Sequence, residues 1–242
     1  MLVLRSVAFN ISFYLNLVLH IILALPTFAL PRAAFMALAR SWARTSNLLL
    51  RVTAGVAVEY RGLEKIPPGA VLVASKHQSV WETFTLVTLF GDPAYVVKRE
   101  LMWIPVFGWY IWKSDMIPVD RSARGGAMAG MIERARAELA HGRQIIIFPE
   151  GTRTAPGAPP AYRQGIANLY AATGVPCVPV ALNSGLFWPR RRFLRYPGTI
   201  VLEVLDPIPP GLEREDFAAR LQNDIETASA RLIAEGESSR AA

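Results

Sequence analysis

Residues 70–82 read AVLVASKHQSVWE, and the order of residue types in this stretch decides the fold. Ala70 to Ser75 is a nearly unbroken apolar run, the pattern of a strand covered on both faces. His77 follows at once, where the chain leaves the sheet, and a helical stretch is predicted from Ser79 to about Phe90. In open α/β sheets functional groups collect beyond the carboxyl ends of strands, so His77 stands where chemistry is expected.

The same alternation continues outward. Residues 56–61, 94–97, 116–119, 144–148, 177–182 and 199–205 read as strands, and 124–141, 165–173 and 213–233 as helices. Leu63 to Gly69 is rich in turn residues, and Gly142 fits a helix C-cap. Pro105 and Gly108 argue against a long regular helix in the aromatic stretch Leu101 to Trp112. The tail from Glu235 is expected to be loose. Strands alternating with helices predict an α/β domain with a mixed sheet covered by helices on both faces.

The amino-terminal part has a different composition. No Asp, Glu, Lys or Arg occurs from Ser6 to Pro31, long enough for a helix to cross or enter a bilayer. A cleaved signal peptide fits less well, because the apolar run is long and no clean small-residue cleavage site follows. A helix buried in a soluble core is the other alternative. Arg32, Arg40, Arg44 and Arg51 then alternate with Phe35, Leu38 and Trp42, which suits a second helix at an anionic interface. These two helices predict a membrane-embedded or interfacial pair at 1–54, ahead of an α/β domain at 55–242. One arginine before the run and four after it suggest a domain facing the cytoplasm.

The 242 residues are 52% hydrophobic and 19% charged, which excludes a disordered chain or a coiled coil. The single cysteine, Cys177, rules out an intrachain disulfide and reads as a core residue. A net charge of +7 suits a nucleic acid, an anionic membrane or a phosphorylated small molecule. His20 and His141 have ordinary structural explanations.

His77 and Glu82 have two readings. If His77 sits in the turn and Glu82 in the first helical turn, the carboxylate can fix the imidazole tautomer while the other nitrogen takes a proton from a hydroxyl. Alternatively, Ser79 and Glu82 have the spacing of a capping box. A serine-hydrolase reading of Ser79 lacks a nucleophile elbow. Other strand ends carry charge. FPEGTRT, at 148–154, offers Gly151 for close backbone approach, Thr152 as a hydroxyl and Arg153 as a planar fork for phosphate, with Glu150 able to hold Arg153 or a substrate hydroxyl. IPVDRS, at 117–122, adds Arg121, and Lys98 with Arg99 ends another strand. Their convergence predicts an anionic-substrate site. Arg190 to Arg192 and Arg195, interleaved with aromatics, form a separate basic patch suited to a membrane interface or nucleic acid. Trp103, Trp109, Tyr110 and Trp112 either line an acyl groove or pack.

Taken in order, these segments resemble the glycerolipid acyltransferase family, in particular its bacterial 1-acylglycerol-3-phosphate acyltransferases. The carrying residues are His77 to Glu82, Ile117 to Arg121, the complete FPEGTR at 148–153, RQGIA at 163–167 and Val178-Pro179-Val180. Glu82 stands where the family usually has aspartate. The resemblance implies acyl transfer from acyl-CoA or acyl carrier protein to the sn-2 hydroxyl of 1-acyl-sn-glycerol 3-phosphate (lysophosphatidic acid), giving phosphatidic acid at the bacterial inner membrane. It implies no cofactor and no metal. His77 would be the base and Glu82 its support, with oxyanion donors expected from backbone N–H groups at the start of the following helix. Arg121 and Arg153 would bind phosphate, assisted by Lys98, Glu150, Gly151 and Thr152. Another lysolipid acceptor, a non-enzymatic lipid-binding scaffold and a nucleic-acid binder are the competing readings; the last predicts one contiguous basic groove.

Overall fold

Alternate residues of strand β2 (Val71–Ser75) face opposite ways, and each set meets its own core. Val71 and Val73 join the core under the amino-terminal helices, whereas Leu72 and Ala74 join the core on the far face. All five residues are buried, as the apolar run predicts for a strand covered twice. The computed structural model describes residues 1–120 and 126–241. Arg121 therefore lies outside the described residues.

Among the described residues the sheet has seven strands. β1 (Val56–Arg61) and β7 (Gly198–Val204) pair in parallel at one edge. β7 meets β6 (Cys177–Leu182) antiparallel, which makes the sheet mixed. From β6 inward, β2, β5 (Gln144–Ile147), β3 (Pro93–Lys98) and β4 (Ile117–Val119) lie side by side and parallel. The carboxyl ends of these five strands thus emerge along one edge, bringing residues far apart in sequence together.

Helices α5 (Gly126–Ala140), α6 (Gly165–Thr173) and α8 (Arg214–Ala241) supply the far core through Met131, Ala135, Leu169, Phe217 and Leu221. The near face is covered by α1 (Leu2–Ala24), α2 (Arg32–Leu49) and α3 (Trp81–Thr85), joined by Phe187 of the short α7 (Ser184–Phe187). Phe9 and Phe13 of α1 pack edge-on against Trp188, and Phe13 lies near Phe84. Polar ties fix α1 against α2: Asn16 Nδ2 donates to Ser46 Oγ at 3.0 Å, and His20 bridges Asn16 O and Ser41 Oγ. Gly55 closes the helical pair at φ +72°, a conformation that costs most residues about 1 kcal/mol. The helical pair and the sheet share one hydrophobic core across this junction.

The stretch Leu2–Ala29 is long and apolar enough to cross a membrane. Its outward face carries Ile11, Leu15, Val18, Leu19, Ile22 and Leu23, all at least half exposed. Trp103, Trp109 and Trp112 also point outward, so they neither line a groove nor pack in the core. They belong to α4 (Phe107–Lys113) and the turn before it, and α4 is tied to the end of α1 by Tyr110 Oη donating to Ile21 O at 2.7 Å. Apolar surface of this extent with a rim of tryptophans belongs at a membrane or its interface. Two of the four interfacial arginines are spent inside the fold. Arg32 forms a two-pronged pair with Asp92, and Arg40 donates to the carbonyl of Gly91. Arg44 and Arg51 remain exposed.

Two expectations need correction. The helix after His77 is short, with α3 giving way to a 3-10 turn at Leu86–Thr88. Thr83 and Thr88 bond back to carbonyls three residues earlier, and β-branched residues disfavour continuation. The tail from Glu235 is not loose, because α8 runs on to Ala241. Glu235 pairs with Arg61 and Arg231, and Arg240 lies over the Tyr196 ring at 4.9 Å.

Candidate functional site

His77 leaves β2 and turns into α3, and Glu82 sits in the first turn of that helix. The two touch: His77 Nδ1 lies 2.9 Å from Glu82 Oε1. Glu82 is wholly buried and is met by four hydrogen-bond partners. Oε1 takes the Gln78 N–H at 2.7 Å and the Ser79 N–H at 2.6 Å besides His77, and Oε2 takes the Ser184 hydroxyl at 2.8 Å. The capping contact and the imidazole contact therefore coexist on one oxygen. Ser79 does not complete a reciprocal box; its Oγ accepts the Trp81 N–H at 3.3 Å. Both oxygens of this buried side chain are thus met by partners. With Nδ1 committed, Nε2 is the ring nitrogen left for chemistry. The imidazole stacks on Phe148 at 4.0 Å between ring centroids, so its plane is fixed on two sides.

A second buried network holds the backbone of this turn. Glu150 Oε2 accepts the His77 N–H at 2.9 Å, and its Oε1 pairs with Lys76 Nζ at 2.7 Å and accepts the Thr154 hydroxyl at 2.5 Å. Lys76 is 3% exposed and reaches Glu226 of α8 as well, also at 2.7 Å. Tyr162 donates to the same Glu226 oxygen. Glu150 thus braces His77 from behind, and does not pair with Arg153. Lys76, Gln78, Ser184 and Glu226 escaped the sequence reading. Lys76 alone left a signal, as a charge abutting a buried strand.

A cavity of about 1480 Å³ opens over this carboxyl edge. His77, Lys98, Gly151, Thr152 and Arg153 are on its wall, whereas Glu82 and Glu150 lie behind it. Tyr14, Leu17 and Ile21 of α1 and Phe35 and Leu38 of α2 form an apolar flank. Gly151 has φ +67°, the left-handed region that glycine adopts without strain, and this turn points the next residues at the cavity. Arg153 is held below its ordinary value, first by burial and then by Arg190 and Arg191, with Glu82 opposing. Burial also pushes the Tyr95 phenol well up, and the Glu82 charge adds to it. The basic residues at 190–192, read from sequence as a separate patch, line this same cavity, and Arg190 Nη1 donates to Arg153 O at 2.7 Å. Arg195 lines it from deeper in the fold, buried 4.6 Å from the Trp188 ring and bonded to Asn10 of α1. Asp120 pairs with Arg99 at 3.1 Å.

Glu82 Oε1 takes the Gln78 and Ser79 N–H groups, which withdraws these two backbone donors ahead of α3 from an oxyanion. Ser79 is fully buried, which leaves it no role as a nucleophile.

Comparison with known proteins gives the site a context. The acyltransferase family profile matches residues 57–183, which include His77, Glu82 and Arg153. A 1-acyl-sn-glycerol-3-phosphate acyltransferase of Pseudomonas aeruginosa is 39% identical over 169 residues, spanning 70% of this chain and 66% of the relative. The human 1-acyl-sn-glycerol-3-phosphate acyltransferase alpha is 31% identical over 180 residues, spanning 73% of this chain and 63% of the relative. The chain therefore spans a little under two thirds of the length of these curated relatives. The crystal structure of the 1-acyl-sn-glycerophosphate acyltransferase PlsC from Thermotoga maritima superimposes with a TM-score of 0.79. It covers 96% of this chain and 98% of its own at 22% identity, so it shares the fold. On the family match and the sequence relatives, the chain belongs to the glycerolipid acyltransferase family and is related to its bacterial PlsC-type members.

Proposed function

We propose that the protein transfers an acyl group from acyl-CoA or acyl carrier protein to the sn-2 hydroxyl of 1-acyl-sn-glycerol 3-phosphate, giving phosphatidic acid. The observation that carries this reading is the His77–Glu82 contact at 2.9 Å on the wall of a cavity that also presents Arg153. The cavity is amphiphilic in the right sense, with an apolar flank for a chain and guanidinium groups for a phosphate.

The chemistry then follows from the arrangement. His77 Nε2 takes the proton of the acceptor hydroxyl as its oxygen bonds to the thioester carbonyl carbon. The buried Glu82 carboxylate stabilises the imidazolium that forms. When the tetrahedral intermediate collapses, the carbon–sulfur bond breaks and the leaving thiolate takes the proton back from His77. The products are an ester and a free thiol, and no acyl-enzyme is formed. Arg153 grips the acceptor phosphate, Arg121 and Lys98 assist it, and Gly151 and Thr152 shape the turn. Glu150 supports the site from behind through the His77 N–H and Lys76. The apolar helix seats the protein at a bacterial inner membrane with the domain on the cytoplasmic side, where thioester donors are made.

The test is thiol release by the purified full chain in mixed micelles, with a panel of acyl donors and lysolipid acceptors. The reading requires that phosphorylated 1-acylglycerol be the preferred acceptor and that His77→Ala abolish release while still associating with vesicles. Preference for another lysolipid would reassign the acceptor. Near-normal turnover by His77→Ala, or lipid binding without release from any donor, would refute the mechanism.

A further inference from the structure

The cavity carries more positive charge than one acceptor phosphate needs. Among the described residues, Lys98, Arg153, Arg163, Arg190, Arg191, Arg192 and the deeper Arg195 are on its wall, and Asp120 is the one carboxylate there. None of these seven cations forms an ion pair with a described carboxylate within 4 Å. A phosphate monoester brings about two negative charges at neutral pH. Most of the surplus comes from the segment after β6, whose Arg190 reaches the carbonyl of Arg153.

That segment is built rather than merely basic. Arg190 rests its Nη1 on the carbonyl of Arg153, while its Nε is buried with no hydrogen-bond partner. Arg191 has φ +56°, a backbone conformation arginine adopts at a cost. Arg195 anchors the segment from below, through its backbone N–H on Ser6 and its guanidinium on Asn10. Burial first, and then the like charges of Arg190 and Arg191, lower the Arg153 guanidinium, and an anion between these groups would relieve that repulsion.

We propose that Arg190 and Arg191 form a second anion subsite that binds the phosphate of a phosphopantetheine-bearing acyl donor, beside the acceptor phosphate on Arg153. The identity of this ligand rests on the acyl-transfer reading, because coenzyme A and acyl carrier protein share a phosphate on pantetheine. A membrane headgroup fits less well. Arg190 is turned onto the Arg153 turn, and the segment shares the cavity wall with His77.

The experiment measures coenzyme A binding to the full chain in micelles, so it does not depend on turnover. Arg191→Gly is the conservative probe, since glycine accepts φ +56° and Arg191 is exposed. Arg190→Gln with Arg191→Gly is the stronger variant. Wild type should bind coenzyme A well and pantetheine poorly. Arg191→Gly should weaken coenzyme A about tenfold, and the double variant more, with pantetheine unchanged. Running holo acyl carrier protein alongside tells which phosphate is held. A loss with both ligands assigns the shared phosphate, and a loss with coenzyme A alone assigns the nucleotide phosphates. Unchanged coenzyme A binding in the double variant overturns the proposal, whether or not acceptor KM rises or anionic-vesicle binding falls. Normal coenzyme A binding by wild type with no thiol release would instead refute the function and leave the subsite standing.

Discussion

Glu82→Gln separates two jobs that fall on one carboxylate. The amide keeps one oxygen, which can still accept from the Gln78 and Ser79 N–H groups and from His77 Nδ1. Its NH2 then faces the Ser184 hydroxyl, which can accept in turn. Geometry is largely kept and the charge is lost. Four bonds to a charged acceptor become bonds to a neutral group, which costs about 2 kcal/mol of stability, or roughly 4–8 °C in Tm. The catalytic loss is larger. An imidazolium and a carboxylate about 4 Å apart attract by about 4 kcal/mol at an effective dielectric of 20, and this attraction exists only once the proton has moved. Its removal lowers kcat about a thousandfold. The assay is thiol release at saturating donor and acceptor, with circular dichroism melting on the same samples. A variant with the expected fall in Tm but kcat within threefold of wild type would show that Glu82 only caps the helix.

Other perturbations read other parts of the site. Arg153→Ala should raise KM for the phosphorylated acceptor about tenfold to a hundredfold and leave a neutral monoacylglycerol acceptor unaffected; equal effects on both would remove Arg153 from phosphate binding. Lys76→Met leaves Glu150 and Glu226 without their shared cation, and should cost about 3–5 kcal/mol in urea unfolding, a value that a near-neutral result would contradict. Burial pushes the Asp92 carboxyl up, but Arg32, Arg143 and Arg40 together hold it below the usual carboxylate range. A carboxylate depressed in the folded state stabilises above its unfolded pKa of about 3.9, and the contribution is lost as pH falls through the folded value. The Tm difference between wild type and Asp92→Asn should therefore be largest near pH 6 and shrink below pH 4, and a constant difference would refute the ion-pair account.

What could be read from sequence was what depends on local pattern and on strand direction. The unbroken apolar runs at 71–74, 145–147 and 177–182 fall in the three central strands, β2, β5 and β6, because burial on both faces leaves no room for polar alternation. Parallel strands put their ends on one edge, so His77, Lys98 and Arg153 could be grouped before any coordinates. What escaped was side-chain partnership over long separations. Local spacing offers Glu150 its near neighbour Arg153 or a substrate hydroxyl, whereas in the fold it meets Lys76, which no spacing rule connects to it. Ser184 reaches Glu82 across 102 positions. The arginines at 190–192 looked like an independent patch because nothing local says that the segment after β6 folds back over the β5 turn.

The sharing of one core by the first two helices and the sheet bears on how this protein can be handled. Trimming the oily amino terminus is the usual route to an easily purified soluble fragment. Here that cut would strip Phe9 and Phe13 from beside Trp188, release Arg195 from Asn10, and unroof the chamber above His77. A fragment starting at residue 55 would be an opened shell rather than a smaller working unit, and silence from it in an assay would say nothing about the intact chain.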